Sequence, residues 1–232
     1  MRETKLSPRL SAAAAFVPEG ARIADIGTDH GYVPVYLAEK GICRFIAASD
    51  INKGPLSSAI RTAKERNAED KITFLLTDGL TGMEDHNLDT VLIAGMGGET
   101  IVSILENAPW AAKDNVTLVL QPQTKIPEVS EYLSKTKKPV TDAVLARDAG
   151  RLYLIIKAAG SGAYEPTEAE KYAPRALLDK KDSLLPEYLD SLIFRLGRAK
   201  AAMAGANIEN EKLTEALTGL EAMKEEAAIW HR

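Results

Sequence analysis

The 232-residue chain has little cysteine, few aromatic residues and no long apolar run. A single cysteine, Cys43, excludes an internal disulfide and a cysteine-based zinc site, and we expect its thiol in the core. No stretch approaches the roughly 18 consecutive apolar residues of a membrane helix, and the N-terminus has no apolar signal core. These absences predict a cytoplasmic protein with neither a membrane nor a metal among its partners, and a monomer is favoured.

The chain also lacks a strong excess of either charge. It carries 29 Lys and Arg against 33 Asp and Glu, a net charge of -4. Bulk charge therefore does not favour a nucleic-acid partner, and any such surface must be a local basic patch on an acidic body. Candidates for phosphate contacts are Lys5, Arg9, Lys125 and Arg147, although an ordinary solvated surface position is the commoner explanation for each.

One stretch organises the rest of the chain. Residues 22–26 form an apolar strand pattern that runs into a turn flanked by Gly27 and Gly31, and an amphipathic run over 32–40 follows at helical spacing. A strand, a tight glycine turn and a helix N-terminus are how α/β folds receive nucleotide-like ligands, because free N–H groups at the helix start face the ligand. The pattern by itself is weak, since many such turns bind nothing.

The alternation of strand and helix patterns predicts the fold. Strands are predicted at 22–26, 44–50, 71–76, 88–94 and 115–120, helices at 32–40, 54–67, 99–106 and 126–135, and a closing hairpin at 139–146 and 151–157. A short helix over 6–17, with Ser7 as its cap, precedes them. This is the pattern of a parallel, doubly wound α/β sheet with helices on both faces, whose ligands lie off the carboxyl ends of the strands.

The pattern changes at Gly160, which predicts a domain boundary between 1–160 and 161–232. Apolar residues then recur at steps of 4 and 3, and a break at 205–207 separates two such runs. The first seam is Leu185, Leu189, Leu192, Leu196, Ala199 and Met203. Heptad spacing around a glycine break predicts an antiparallel helical hairpin, a coiled coil. It can serve as a stabilising appendage, a dimer contact or a surface for RNA.

Three acids end successive predicted strands: Asp25, Asp50 and Asp78. A dinucleotide dehydrogenase explains the first two, but its fingerprint wants G-x-G-x-x-G and a phosphate at the turn. Here Asp29 occupies that turn, and an acid repels a phosphate but suits a cation. Charge therefore favours S-adenosylmethionine, which has a sulfonium, an ammonium and no phosphate. Each acid alone is also compatible with a helix cap or a turn.

The shape of that cofactor suggests roles for these residues. Asp25 and Gly27 would meet its methionine part, and Asp50 would accept hydrogen bonds from both ribose hydroxyls. Asp78 would accept from the adenine N6 amine, with the backbone of Gly79 close to the ring.

Three blocks carry a resemblance to a known family. Ala24-Asp-Ile-Gly-Thr-Asp-His-Gly-Tyr-Val-Pro34, Ile93-Ala-Gly-Met-Gly-Gly98 and Leu120-Gln-Pro122 together resemble the bacterial tRNA (adenine-22-N1)-methyltransferase family, TrmK, over essentially the whole chain. The resemblance implies a Rossmann-like class I methyltransferase domain, S-adenosylmethionine as donor and N1 of adenine 22 in the tRNA D-arm as acceptor. Gln123 departs from the asparagine that the pattern leads us to expect.

The acceptor suggests the catalytic candidates. Attack by adenine N1 is helped when a carboxylate takes a proton from N6; Asp29 is the first candidate and His30 the second. Asp29 is equally compatible with a contact to the methionine ammonium, and His30 with a bridge to the cofactor. Tyr32 would stack on the incoming base or lie in the core. Gly95, Met96 and Gly97 would line the cofactor site, with the glycines admitting close backbone approach and Met96 forming an apolar wall.

Three other functions stay open at this point. A small-molecule methyltransferase would use the same cofactor site and would explain the acidic charge more easily. A non-catalytic scaffold would use the helical hairpin as its working part. A dehydrogenase is disfavoured by the acid in the turn.

Overall fold

A computed structural model of the protein describes residues 4–206 and 208–231, except for the side chain of His231. Seven strands form its central sheet: β1 Ala21–Ile26, β2 Cys43–Asp50, β3 Thr73–Leu76, β4 Thr90–Gly97, β5 Thr117–Thr124, β6 Val140–Asp148 and β7 Arg151–Ala158. Their order across the sheet is β3-β2-β1-β4-β5-β7-β6. Strands β1 to β5 pair in parallel, which confirms the predicted Rossmann-like sheet.

Over the described residues, eight α-helices surround or follow this sheet. They are α1 Pro8–Ala15, α2 Tyr32–Lys40, α3 Lys53–Glu65, α4 Gly98–Glu106, α5 Ile126–Lys135, α6 Arg175–Asp179, α7 Leu185–Gly205 and α8 Glu211–Ala228. The bounds of α2 and α5 match the predicted spans residue for residue. Ser7 precedes α1 with an extended backbone, as predicted, but its side chain makes no capping hydrogen bond.

The predicted closing hairpin is present, and its return strand is the one that joins the sheet. β7 runs antiparallel to both β5 and β6. The two-residue turn between β6 and β7 has positive φ at Ala149 (46°) and Gly150 (77°), which is the hairpin turn whose twist matches its strands.

Strands β4 and β5 run further than predicted. We expected β4 to end at Ala94 and β5 at Leu120, because glycine and proline usually interrupt strands. Instead Met96 pairs with Pro122 and Gly97 with Thr124, with irregular register on both sides of Met96. Gly95 absorbs this irregularity at a φ of 85°. The segments that contain Gly95 and Pro122 therefore belong to strands rather than to loops.

The sheet is covered on both faces by apolar side chains. One hydrophobic cluster joins the sheet to α1, α2 and α3, and a second joins it to α4 and α5. The alternation along β1 shows the division, since Ile23 faces the first cluster and Ala24 and Ile26 belong to the second. This is the two-sided burial expected of a parallel sheet.

The C-terminal helices extend the second cluster. Leu178 of α6, Leu185 and Leu189 of α7, and Leu220 of α8 are buried in the same cluster as β4 and β5. Because the hairpin base and the sheet share one core, removal of the helices would expose buried sheet residues. The boundary at 160/161 stays a prediction.

The predicted heptad seam is closed only over part of its length. Leu185, Leu189, Leu192 and Leu196 are buried, but Ala199 is exposed and Met203 half-buried, so the prediction was wrong at these two positions. The distal helices diverge around a cavity of about 850 Å³ lined by Met203, Ile208 and Leu213. The predicted break at 205–207 follows α7, with Asn207 outside the described residues.

Cys43 lies at the start of β2 and is half-buried rather than fully enclosed. Burial, with a contribution from Asp89, raises the pKa of its thiol to about 11. Over the described part of the chain, no helix combines the length and apolar character that a membrane crossing requires.

The close packing of the start of α4 against the end of β5 can be tested at Gly98. A Cβ at Gly98 would overlap the carbonyl oxygen of Lys125 and lie 2.8 Å from that of Thr124, so Gly98→Ala should destabilise the fold by about 1–3 kcal/mol. The matched control is Gly197→Ala on α7, where a Cβ would meet nothing within 4 Å; it should stabilise by up to about 1 kcal/mol. Urea unfolding measures both, and equal midpoints would contradict the packing described.

Candidate active site

Two cavities lie side by side at the carboxyl ends of the parallel strands. The first, of about 470 Å³, is lined by residues that include Asp25, Asp29, His30, Tyr32 and Gly95. The second, of about 280 Å³, is lined by residues that include Ile51, Asp78, Gly79 and Ile104. Gly27, Asp50 and Met96 line both cavities. The fold therefore brings all but one of the predicted site residues to one continuous edge of the sheet.

Gly97 is the predicted residue that lies outside these two linings. It ends β4 and caps α4, and a Cβ added there would lie 3.2 Å from Oγ1 of Thr124. Its position points to the packing of β4 against β5, and a contact with a cofactor stays a prediction.

The turn after β1 is pinned to the neighbouring strand. The N–H groups of Gly27 and Thr28 both donate to the carbonyl of Ser49 at 2.9 Å. Gly27, Asp29 and Gly31 all have left-handed backbones, with φ of 70°, 48° and 71°. A Cβ at Gly31 would lie 2.9 Å from the Cα of Ala59 on α3, so this position requires glycine.

The tip of this turn presents three polar side chains to the first cavity. Nε2 of His30 lies 3.6 Å from Oδ2 of Asp29, and both side chains are exposed. The His30 ring centroid is 5.5 Å from that of Tyr32, which is 45% exposed. The alternative of a core position for Tyr32 is therefore wrong. A carboxylate, an imidazole and an aromatic ring meet at one accessible point.

The acids that end β1 and β2 are buried behind this turn. Asp25 is 4% exposed, and burial raises the pKa of its carboxyl to about 6. Asp50 is also buried, and its Oδ1 accepts a hydrogen bond of 2.8 Å from the N–H of Asn52. Two adjacent strand ends thus hold carboxyl groups against the cavities, where they can bind cations or hydroxyl donors.

The second cavity is narrower and more apolar on its walls. Gly79 has a φ of 56°, and a Cβ added to it would lie 3.0 Å from the Ile104 side chain. Ser49 donates to the Gly79 carbonyl at 3.4 Å. Ile51 is 61% exposed in the second cavity, an unusual place for a large aliphatic residue without a ligand. Asp78 lines the same cavity beside these walls.

Met96 separates the two cavities. Its side chain crosses from β4 to the turn after β1, where its methyl group occupies the space that a Cβ on Gly27 would need. The absence of a side chain at Gly27 therefore admits Met96 to the middle of the site, consistent with the predicted apolar wall.

The basic residues predicted as phosphate contacts lie in different surroundings. Arg147 forms a two-pronged ion pair with Glu187 of α7, and Lys125 lies 3.3 Å from Glu128. Lys5 is exposed. Arg9 instead lines the first cavity and donates to Gln121.

Several residues of the site were missed by the sequence analysis. Ile51 and Asn52 directly follow Asp50, so proximity to a predicted strand-end acid was an available signal. Leu10 had no such signal, whereas Arg9 was predicted as a phosphate contact and instead lines the first cavity.

Comparisons with known proteins agree with this geometry. Residues 6–156 match the family model described as a methyltransferase domain. A curated tRNA (adenine(22)-N(1))-methyltransferase from Bacillus subtilis is 36% identical over 162 residues, which span 68% of this chain and 66% of that protein. The matched segment thus spans about two thirds of that relative's length.

Solved structures cover the whole fold. The crystal structure of the B. subtilis M1A22 tRNA methyltransferase TrmK has a TM-score of 0.79 at 27% identity, covering 98% of this chain and 99% of that one. A Streptococcus pneumoniae protein, a putative tRNA (m1A22) methyltransferase solved with S-adenosyl-L-methionine, has a TM-score of 0.81 at 24% identity, covering 95% and 100%. The second likeness supports the fold.

Burial of Asp25 predicts a pH-dependent penalty. The pKa of Asp25 in the folded protein, about 6, exceeds its ordinary value of 3.8. Burial of this carboxyl therefore costs no stability below pH 3.8, where it is protonated in both states. The cost grows as the pH rises and is complete once the pH has passed through 6. At about 1.4 kcal/mol per pKa unit, Asp25→Asn should stabilise the ligand-free protein by about 3 kcal/mol above pH 7. This gain should shrink as the pH falls from 6 to 4. Urea unfolding across this range measures it, and a gain independent of pH would contradict the assignment.

Proposed function

This chain belongs to the methyltransferase-domain family, and we propose that it transfers a methyl group from S-adenosylmethionine to N1 of adenine 22 in the D-arm of tRNA. The observation that carries the proposal is the pair of adjoining cavities, which share Asp50 and Gly27 and are lined by the acids at the ends of β1, β2 and β3. The similarity to the B. subtilis enzyme supports the choice of acceptor.

The residues present suit this cofactor. The first cavity, at about 470 Å³, falls within the range of roughly 300–1,000 Å³ that is usual for small-molecule sites. Asp25 is buried with a raised pKa, and a ligand ammonium beside it would favour its ionised form. The site places carboxyl groups where a dinucleotide would bring phosphates, which supports a cationic ligand over NAD.

Each cavity serves one half of the cofactor in this proposal. Asp50, which lines both, accepts hydrogen bonds from the ribose hydroxyls. In the second cavity Asp78 accepts from the adenine N6 amine, and Ile51 and Ile104 pack on the ring, with the Gly79 backbone alongside. In the first cavity Asp25 faces the methionine ammonium at Gly27.

The protein's own chemistry is that of positioning and proton acceptance. When bound, the cofactor supplies an electrophilic methyl group on its sulfonium. Asp29 would accept a hydrogen bond from the N6 amine of the target adenine and would take its proton as N1 receives the methyl group. His30, 3.6 Å from Asp29, is the alternative acceptor. Tyr32 stacks on the base.

Access to N1 requires the target nucleotide to leave its stack, because N1 lies on the pairing edge. The exposed Tyr32 ring stands at the mouth of the first cavity, where an extruded base would enter. We assign residues 1–160 to the catalytic domain and 161–232 to the helical domain. With tRNA as substrate, the protein would act in the cytoplasm.

The reaction itself is tested with unmodified tRNA and S-adenosylmethionine, followed by nuclease digestion and mass spectrometry of the nucleosides. N1-methyladenosine is expected from a tRNA with adenine at position 22, and none from the same tRNA with guanine there. A methylated product from both would overturn the position. Turnover of a metabolite without any RNA product would favour a small-molecule methyltransferase.

Asp29→Asn tests the proton acceptor. Asparagine tolerates the left-handed backbone at this position and keeps the hydrogen bond, but it cannot take a proton. Single-turnover methylation should slow by about 10²-fold or more, the usual scale for general-base catalysis. If Asp29 contacts only the base, binding of S-adenosylhomocysteine should stay within about twofold of wild type, and weakened binding would assign Asp29 to the methionine ammonium instead. His30→Gln should have the smaller effect, and the reverse order would assign the proton to His30.

A further inference from the structure

Arg9 reaches the first cavity from outside the strand-end loops. It lies on α1, and its Nη1 donates a hydrogen bond of 2.7 Å to Oε1 of Gln121. Gln121 is 0% exposed within β5, and its own amide donates to the Pro122 carbonyl at 3.1 Å. The Cζ of Arg9 also lies 5.5 Å from the ring centroid of Tyr153 on β7. Side chains from β5 and β7 therefore fix a guanidinium carried by α1.

The missing side chain of Gly95 makes room for this guanidinium. A Cβ at Gly95 would lie 3.3 Å from Nη1 of Arg9 and 3.6 Å from Nε2 of Gln123. Both side chains line the first cavity. Donor groups thus converge on the side of that cavity formed by β4 and β5, across from the turn that carries Asp29.

Acidic residues outnumber basic residues in the lining of the first cavity. Among the described residues that line it, Asp25, Asp29 and Asp50 are acids, and Arg9 is the one lysine or arginine. The amino-acid end of S-adenosylmethionine is a zwitterion, with an ammonium and a carboxylate on the same carbon. The acids suit the ammonium, but they would repel the carboxylate unless a cation stood beside it. An arginine offers a planar fork that matches a carboxylate.

We propose that Arg9 binds the carboxylate of the cofactor's amino-acid end, and that Gln121 and Tyr153 hold its guanidinium in place for that contact. The inference rests on the proposed cofactor. One of the five N–H groups of Arg9 is used by Gln121, so others remain for a ligand. An RNA phosphate is the competing ligand, and it would have to enter a cavity lined by three acids.

The test compares two ligands that differ by the carboxylate alone. S-adenosylhomocysteine carries it, and decarboxylated S-adenosylhomocysteine keeps the ammonium, sulfur and adenosine without it. Calorimetry on the full-length protein measures both affinities in wild type, Arg9→Gln and Arg9→Lys. Wild type should prefer the carboxylate-bearing ligand by about 10- to 100-fold, the usual scale for a hydrogen-bonded charge pair.

Arg9→Gln should abolish this preference and leave the affinity for the decarboxylated ligand within about twofold, while Arg9→Lys should restore part of it. The matched control, Asp50→Ala, should weaken both ligands alike through the ribose. Equal weakening of both by Arg9→Gln would overturn the contact, as would an unchanged preference accompanied by a raised KM for tRNA. Failure of wild type to bind either ligand would refute the proposed cofactor instead.

Discussion

The register of β1 between its two neighbours is the constraint on which the site depends. Ile26, the last residue of β1, pairs with Ser49 on one side and Ile93 on the other. This alignment brings Asp25, Asp50 and the Gly95 segment to one edge. The N–H groups of Gly27 and Thr28 then close the turn onto Ser49. A slip of one residue would turn Asp25 to the opposite face of the sheet.

Three residues at this edge of the sheet are unfavourable for the stability of the ligand-free protein. Asp25 is a buried carboxyl whose pKa is raised by desolvation, Asp29 has a left-handed backbone, and Ile51 is exposed. Each feature is unfavourable in the ligand-free protein, and under the proposed function a cation, a flat ring or a base beside it would offset that cost. The well-packed sheet beneath tolerates these costs, because its apolar residues are buried on both faces.

The C-terminal helices are integrated with this sheet at their base and separate from it at their tip. Leu185 and Leu189 belong to the core that includes β4 and β5, whereas Met203 and Ile208 line an open cavity. Arg147 on β6 adds an ion pair to Glu187 at the base. The hairpin therefore has a fixed origin on the sheet, and under the proposed function its far end would be available to a large substrate such as RNA.

Local pattern was sufficient for the elements and for most of the site. The apolar periodicity over α2 and α5 and the strand-end acids Asp25, Asp50 and Asp78 are readable because each signal lies within a few neighbouring residues. The family resemblance rested on equally local blocks around Gly27 and Gly95.

Only the tertiary structure decided what depends on residues far apart in the chain. Glycine and proline usually interrupt strands, yet the pairing of Met96 with Pro122 continues β4 past Gly95 and β5 past Leu120. Arg9 and Gln121 meet across 112 positions of the chain, and residues of both α7 and α8 line the cavity at Met203. No local periodicity encodes such contacts, because they arise when the sheet closes and the helices pack upon it.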